Sequence, residues 1–130
     1  MNTAATHTAN AYRKLDVQTS VAEASSHQLI DMLFEGARDR IHQALGYLER
    51  GDMAAKSQAI NAVVDIVEGL QASLDHEQGG ELAGNLEALY DYMQRRLFRA
   101  NSDNDTDALR EVGDLIATLR SAWVAIDPQE

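Results

Sequence analysis

Four stretches of the chain carry apolar residues at spacings of three and four, separated by short polar breaks, and none alternates as a strand would. The first stripe is Leu29, Ile30, Leu33, Phe34, Ala37, Ile41, Ala44, Leu45 and Leu48. Ser25 stands just before it and Gln28 three residues on, the reciprocal pair of a capping box, so a helix is predicted to begin near Ser25. Gly51 ends it, since glycine reaches the left-handed conformation without a Cβ clash. Asp52 then caps a second helix with Ile60, Val63, Val64, Ile66, Val67, Leu70 and Leu74 on one side. The stretch "DHEQGG" breaks the pattern and is expected to turn. A third helix is expected from about Gly80 to Ala100, with Glu81 in its first turn and Leu82, Ala83, Leu86, Leu89, Tyr90, Met93 and Leu97 as its stripe. "NSDND" is the third turn. The fourth helix carries Leu109, Val112, Leu115, Ile116, Leu119, Ala122, Trp123 and Ile126 and stops before Asp127-Pro128.

Helices of roughly 20–25 residues span about 30–37 Å, and their short links set neighbours antiparallel. The pattern predicts an all-α fold, an antiparallel up-down four-helix bundle with an N-terminal arm or short extra helix. Residues 1–24 are the expected mobile arm, 25–126 the bundle and 127–130 a C-terminal tail. The arm's isolated apolar residues, Tyr12, Leu15, Val17 and Val21, are suited to docking on the body.

The stripes are wider than a two-helix seam needs. On a helical wheel the second helix has an apolar arc of roughly 160° and the fourth one of roughly 140°, against about 100° for a core-facing stripe. A well-filled core accounts for most of this width. The remaining edge positions can line an open groove for another helix. Tyr92 and Phe98 fall off the third stripe and are expected to be exposed aromatics.

Composition narrows the chemistry. There is one proline, Pro128, and no cysteine, which excludes disulfides, thiolate zinc sites and cysteine nucleophiles. The formal charge of −10 repels phosphate backbones and anionic membranes, so neither nucleic acid nor membrane insertion is expected. No apolar run reaches the ~18 residues of a span, and no signal peptide is visible. Of the histidines, only His42 has a carboxylate-x-x-His spacing, with Asp39, and the second copy that a di-iron bundle needs is missing. A phosphoryl-accepting role for His42 lacks neighbouring lysines. Nothing assembles a nucleophile, a base and an oxyanion site.

Several blocks nevertheless resemble one family. Tyr12 is followed by "VQTSVAEASSHQLIDMLFEGA"; "LERGD" closes the first helix; residues 73–97 read "SLDHEQGGELAGNLEALYDYMQRRL"; and Ala100-Asn101 precedes "LREVGDLIATLRSAW". These are similar to motifs of the flagellin-specific export chaperones, the FliS family, over about residues 12–123. Where relatives place proline in the first turn of the first helix, this chain has Ser26.

The resemblance implies a cytoplasmic, non-enzymatic chaperone without cofactor or metal. It implies binding of the disordered C-terminal segment of flagellin as helices in apolar grooves, which blocks premature polymerisation, and delivery to the flagellar type III export gate. It also implies that the region around Tyr12, with Leu15 and Val17 beside it, caps a groove or docks at the gate. Combined with stripe geometry, it places the client contact on Ile60, Val64, Val67, Leu86, Tyr90, Met93 and Leu97. A homodimeric helical-bundle adaptor without a flagellin client is the alternative. Ordering a client costs at least about 1 kcal/mol per residue, so on the order of 40 residues need about 1,600 Å² of apolar burial at roughly 25 cal/mol per Å². Only grooves provide that.

Overall fold

The computed structural model describes residues 25–126, which fold into four α-helices without a strand among them. Helix α1 is Ser26–Arg50, α2 Met53–Ala72, α3 His76–Asp103 and α4 Thr106–Val124. Each packs on its chain neighbour and α1 also packs on α4, which closes the ring of an up-down bundle. The expected arm and tail, with Tyr12, Leu15 and Val17, lie outside the described residues.

The ends form where their capping chemistry stands. The Ser25 hydroxyl accepts from Gln28 N–H at 3.1 Å while Ser25 N–H donates to Gln28 Oε1 at 2.8 Å, so the capping box is complete. Gly51, at φ 75°, closes α1 in the left-handed conformation, and the Asp52 carboxylate accepts from Ala55 N–H to open α2.

Helix α2 ends at Ala72 and α4 at Val124, so Leu74 and Ile126 fall just beyond the helices expected to carry them, and both ends of α3 differ from expectation. Helix α3 starts at His76 rather than Gly80, because the Asp75 carboxylate caps it by accepting from Glu77 and Gln78 N–H, both at 3.1 Å. At Gly80 the backbone leaves helical geometry, φ 53° and ψ −124°, and then resumes it. Only glycine takes that conformation without strain. At its other end α3 continues through "NSD" and stops at Asn104, a residue type that tolerates the left-handed region (φ 53°), before Asp105 caps α4.

The middle of the bundle is a dry seam. Leu33, Ile41, Val63, Ile66, Met93, Leu97, Leu109, Val112 and Ile116 are all buried. Each such side chain contributes about 1.5–3 kcal/mol relative to exposure. Beyond the seam, at the end where α2 begins and α3 finishes, Lys56 is only 4 % exposed. Its ammonium donates to both Asn101 O, at 2.8 Å, and Asn101 Oδ1, at 3.0 Å, and Ser57 Oγ adds a bond to the same Oδ1. The buried charge is thus hydrogen-bonded, as burial requires.

Phe98 is 72 % exposed, as its place off the stripe suggested. Tyr92 is half-buried instead: its hydroxyl donates to Glu111 Oε2 at 2.7 Å, and Arg96 Nε donates to Glu111 Oε1 at 2.7 Å, which ties α3 to α4.

Candidate functional site

At the end where α1 and α3 begin and α2 and α4 finish, the seam opens into an apolar trough of about 400 Å³. Ile30 and Phe34 come from α1, Leu70 and Leu74 from α2, Leu86 and Tyr90 from α3, and Leu119 and Trp123 from α4. The space exists because the positions that would fill it are small: Gly79, Ala83 and Ala122 also line it. Leu82, 65 % exposed, and Ile126, 52 % exposed, stand on its rim. That is costly in apolar surface left in water and is a mark of an interaction site.

The trough has almost no charge. Among the described residues Asp75 is the one carboxylate lining it, and that side chain is engaged by the Glu77 and Gln78 N–H groups that it caps at the start of α3. Burial pushes the Tyr90 phenol up to about 12, so it stays a neutral hydroxyl. Nothing in this lining can act as nucleophile and base; it can bury an apolar helix face.

One wall is held by two clamps between the first turns of α1 and the last turns of α4. Trp123 and His27 exchange two hydrogen bonds, each 2.9 Å, and their rings stack. A turn further in, Arg120 bonds both Asp31, at 2.8 Å, and Glu35. Those carboxylates hold the guanidinium's affinity for its proton above the usual arginine range, with the Asp31 hydrogen bond the largest cause.

The seven residues expected from the stripes separate by depth. Leu86 and Tyr90 line the trough. Val64 is half-buried and packs against the core from α2. Ile60, Val67, Met93 and Leu97 are sealed inside the seam and present no surface. The stripes had marked Ile30, Phe34, Leu119 and Trp123 only as core positions, yet they form the far wall. The signal for them was the small residues Gly79, Ala83 and Ala122 at the same end of the bundle.

Other candidate chemistry does not assemble. Among the described residues no group of three His, Cys, Asp or Glu side chains could hold a metal ion. No helix among them is long and apolar enough to cross a membrane. His42 and Asp39 are both exposed on α1.

Comparison with known proteins agrees with the motif blocks. The family described as "Flagellar protein FliS" matches residues 8–130. The flagellar secretion chaperone FliS of Salmonella typhimurium is 47 % identical over 120 residues, 92 % of this chain and 89 % of that protein. The flagellar secretion chaperone FliSB of Pseudomonas aeruginosa is 42 % identical over 115 residues, 88 % of this chain and 91 % of that protein. FliS of Bacillus subtilis is 36 % identical over 106 residues, 82 % of this chain and 78 % of that protein. A four-helix bundle with an open apolar end and no catalytic constellation among its described residues, matched along nearly its full length, belongs to the FliS family of flagellar secretion chaperones, which are not enzymes.

Proposed function

We propose that this chaperone works in the cytoplasm and takes the C-terminal segment of flagellin, disordered in the free subunit, as its client. Part of that segment folds as an amphipathic helix in the trough, with its apolar face against Leu86, Tyr90 and Trp123. Covering that face keeps subunits from polymerising early, and the complex is then delivered to the flagellar type III export gate. Leu86 and Tyr90 contact the client directly, Val64 sits at an edge on α2, and Ile60, Val67, Met93 and Leu97 shape the surface from beneath. Tyr12, Leu15 and Val17 cap the groove or dock at the gate.

The observation that supports this most is the trough itself. A space of about 400 Å³ with nearly uncharged walls takes apolar side chains at helical spacing. A dry core would have closed over it.

The chain carries its own reporter, because Trp123 is the one tryptophan and it lines the trough. Titration with a peptide of the flagellin C-terminal segment should shift Trp123 fluorescence saturably, and calorimetry should give a negative heat-capacity change from apolar burial. Leu86→Asp should abolish both signals while circular dichroism stays helical. Binding that leaves Trp123 unperturbed and survives Leu86→Asp would move the client elsewhere. Absence of binding, with dimers in sedimentation, would favour the homodimeric adaptor.

A further inference from the structure

Among the described residues, the polar side chains in the wall of the apolar trough are those of Ser73, Asp75, Tyr90 and Trp123. Three of them are engaged within the chain. Ser73 Oγ donates to Gly69 O at 2.8 Å. The Asp75 carboxylate accepts from Glu77 and Gln78 N–H. Trp123 Nε1 donates to His27 O at 2.9 Å. The Tyr90 hydroxyl is bonded to none of the described residues.

Tyr90 is 4 % exposed, and a hydroxyl on so buried a side chain ordinarily has a partner. Two positions further along α3, the Tyr92 hydroxyl has one, Glu111. No polar side-chain atom is sealed without a partner among the described residues. The Tyr90 hydroxyl is therefore not shut inside the seam, and it opens on the trough that the residue lines. Because the buried phenol keeps its proton, it can donate a hydrogen bond as well as accept one.

On the reading of the trough as the client site, we infer that the Tyr90 hydroxyl is its specificity-determining group. It hydrogen-bonds one neutral side chain (asparagine, glutamine, serine or threonine) set within the otherwise apolar face of the occupying helix. The carbonyls of a helix are already bonded four residues along, so the partner is a side chain. The nearly uncharged walls disfavour an ion there, and Asp75 repels a carboxylate. A helix with a purely apolar face would dry the hydroxyl and leave it unbonded. That lowers affinity, just as a site built around a hydrogen bond rejects an analogue lacking it. The trough thereby tells its client from other apolar helices, which shape alone does not.

The test uses the full chain, its Tyr90→Phe variant and the flagellin C-terminal peptide. Without peptide, Tyr90→Phe should leave the urea midpoint unchanged or raise it, because no bond within the fold is lost. A lower midpoint would give the hydroxyl an internal partner and overturn the proposal. In calorimetry Tyr90→Phe should weaken the peptide about tenfold, by leaving the peptide's polar group unpaired. In a peptide series, each asparagine, glutamine, serine or threonine is replaced in turn by an apolar residue of similar size. One replacement should weaken binding to the parent chain about tenfold and cause no further loss with Tyr90→Phe, since neither partner is then left unpaired. Parent-level affinity for Tyr90→Phe, or a series in which no replacement couples to it, overturns the role of the hydroxyl and leaves the client site standing. A peptide that does not bind the parent chain, or that binds with Trp123 unperturbed, overturns both.

Discussion

His27 and Trp123 hold each other by three contacts at once. The Trp123 indole N–H donates to His27 O at 2.9 Å, His27 Nε2 lies 2.9 Å from Trp123 O, and the rings stack with centroids 4.8 Å apart at 14°. A carbonyl only accepts, so this geometry places a proton on Nε2. The pair joins residues 96 positions apart in sequence and fixes the wall that Trp123 gives to the trough. Trp123→Phe keeps most of the ring but removes the indole donor. It should cost about 1 kcal/mol, the net worth of one hydrogen bond, as a shift in the urea midpoint. His27→Ala should cost somewhat more, since the stacking goes as well. If both variants unfold like the parent, the clamp contributes nothing to stability.

Depth within the bundle separates two residues of the same stripe. Met93 is fully buried, and Met93→Ala should cost about 2–5 kcal/mol by lost contacts and a cavity. Leu82 is 65 % exposed, and Leu82→Ala should change stability by less than about 0.5 kcal/mol. Paired denaturation curves check this. On the proposed function Leu82→Ala should still weaken client binding, because Leu82 stands at the rim. A double change of Val64 and Met93 to aspartate should unfold the chain, since it buries a carboxylate without a partner.

Periodicity made the bundle legible. The capping box at Ser25, the Gly51 stop and the four stripes all come from local chemistry that the folded chain preserves. The position of the open end was less legible. Leu86 and Met93 lie on one stripe and differ only in distance along the axis, and a helical wheel carries no axial coordinate. What opens the seam beside Leu86 is the meeting of Gly79 and Ala83 on α3 with Ala122 on α4, residues far apart in sequence. The helical turn before Gly80 was hidden for a different reason. Two adjacent glycines argue for a loop, whereas Asp75 supplies enough capping to start the helix early.

Gly80 tests that last point. Its φ of 53° with ψ −124° is open to glycine and strained for any residue with a Cβ. Gly80→Ala should destabilise by about 1–3 kcal/mol, although no atom would lie within 4 Å of the new methyl group. The cost is therefore conformational and not a clash. At Gly79 the reverse holds, because an added Cβ would stand 2.9 Å from the Ala83 Cβ in the trough lining. Thermal melts of the two variants, with the Trp123 signal followed alongside, separate strain from crowding.

The Tyr92–Glu111–Arg96 tie sets a pH dependence. The Tyr92 hydroxyl first, and then Arg96, hold the Glu111 carboxyl below its ordinary value of 4.5. A group whose folded value is depressed stabilises the fold above its unfolded value, and that contribution is lost as pH falls through the folded value. Stability should therefore decline in acid from about pH 4.5 downward, by a small amount because water reaches and screens the partly exposed pair. Glu111→Gln should flatten that part of the acid unfolding profile. An unchanged profile would assign the decline to other carboxylates.

Ser26 offers a change that should stabilise. It is exposed and is the first residue of α1, where proline's fixed φ matches the helix and its missing N–H is one that a helix start leaves without an intrahelical partner. The residue before a proline must be extended, and Ser25 already is, at φ −71° and ψ 165°. Ser26→Pro should thus stabilise by about 0.4–1 kcal/mol, mainly by restricting the unfolded chain. The capping bonds of Ser25 with Gln28 do not involve the Ser26 N–H, so they should survive. A higher urea midpoint with an unchanged slope is the expected result. A lower midpoint would mean that the Ser26 N–H has a partner that proline removes.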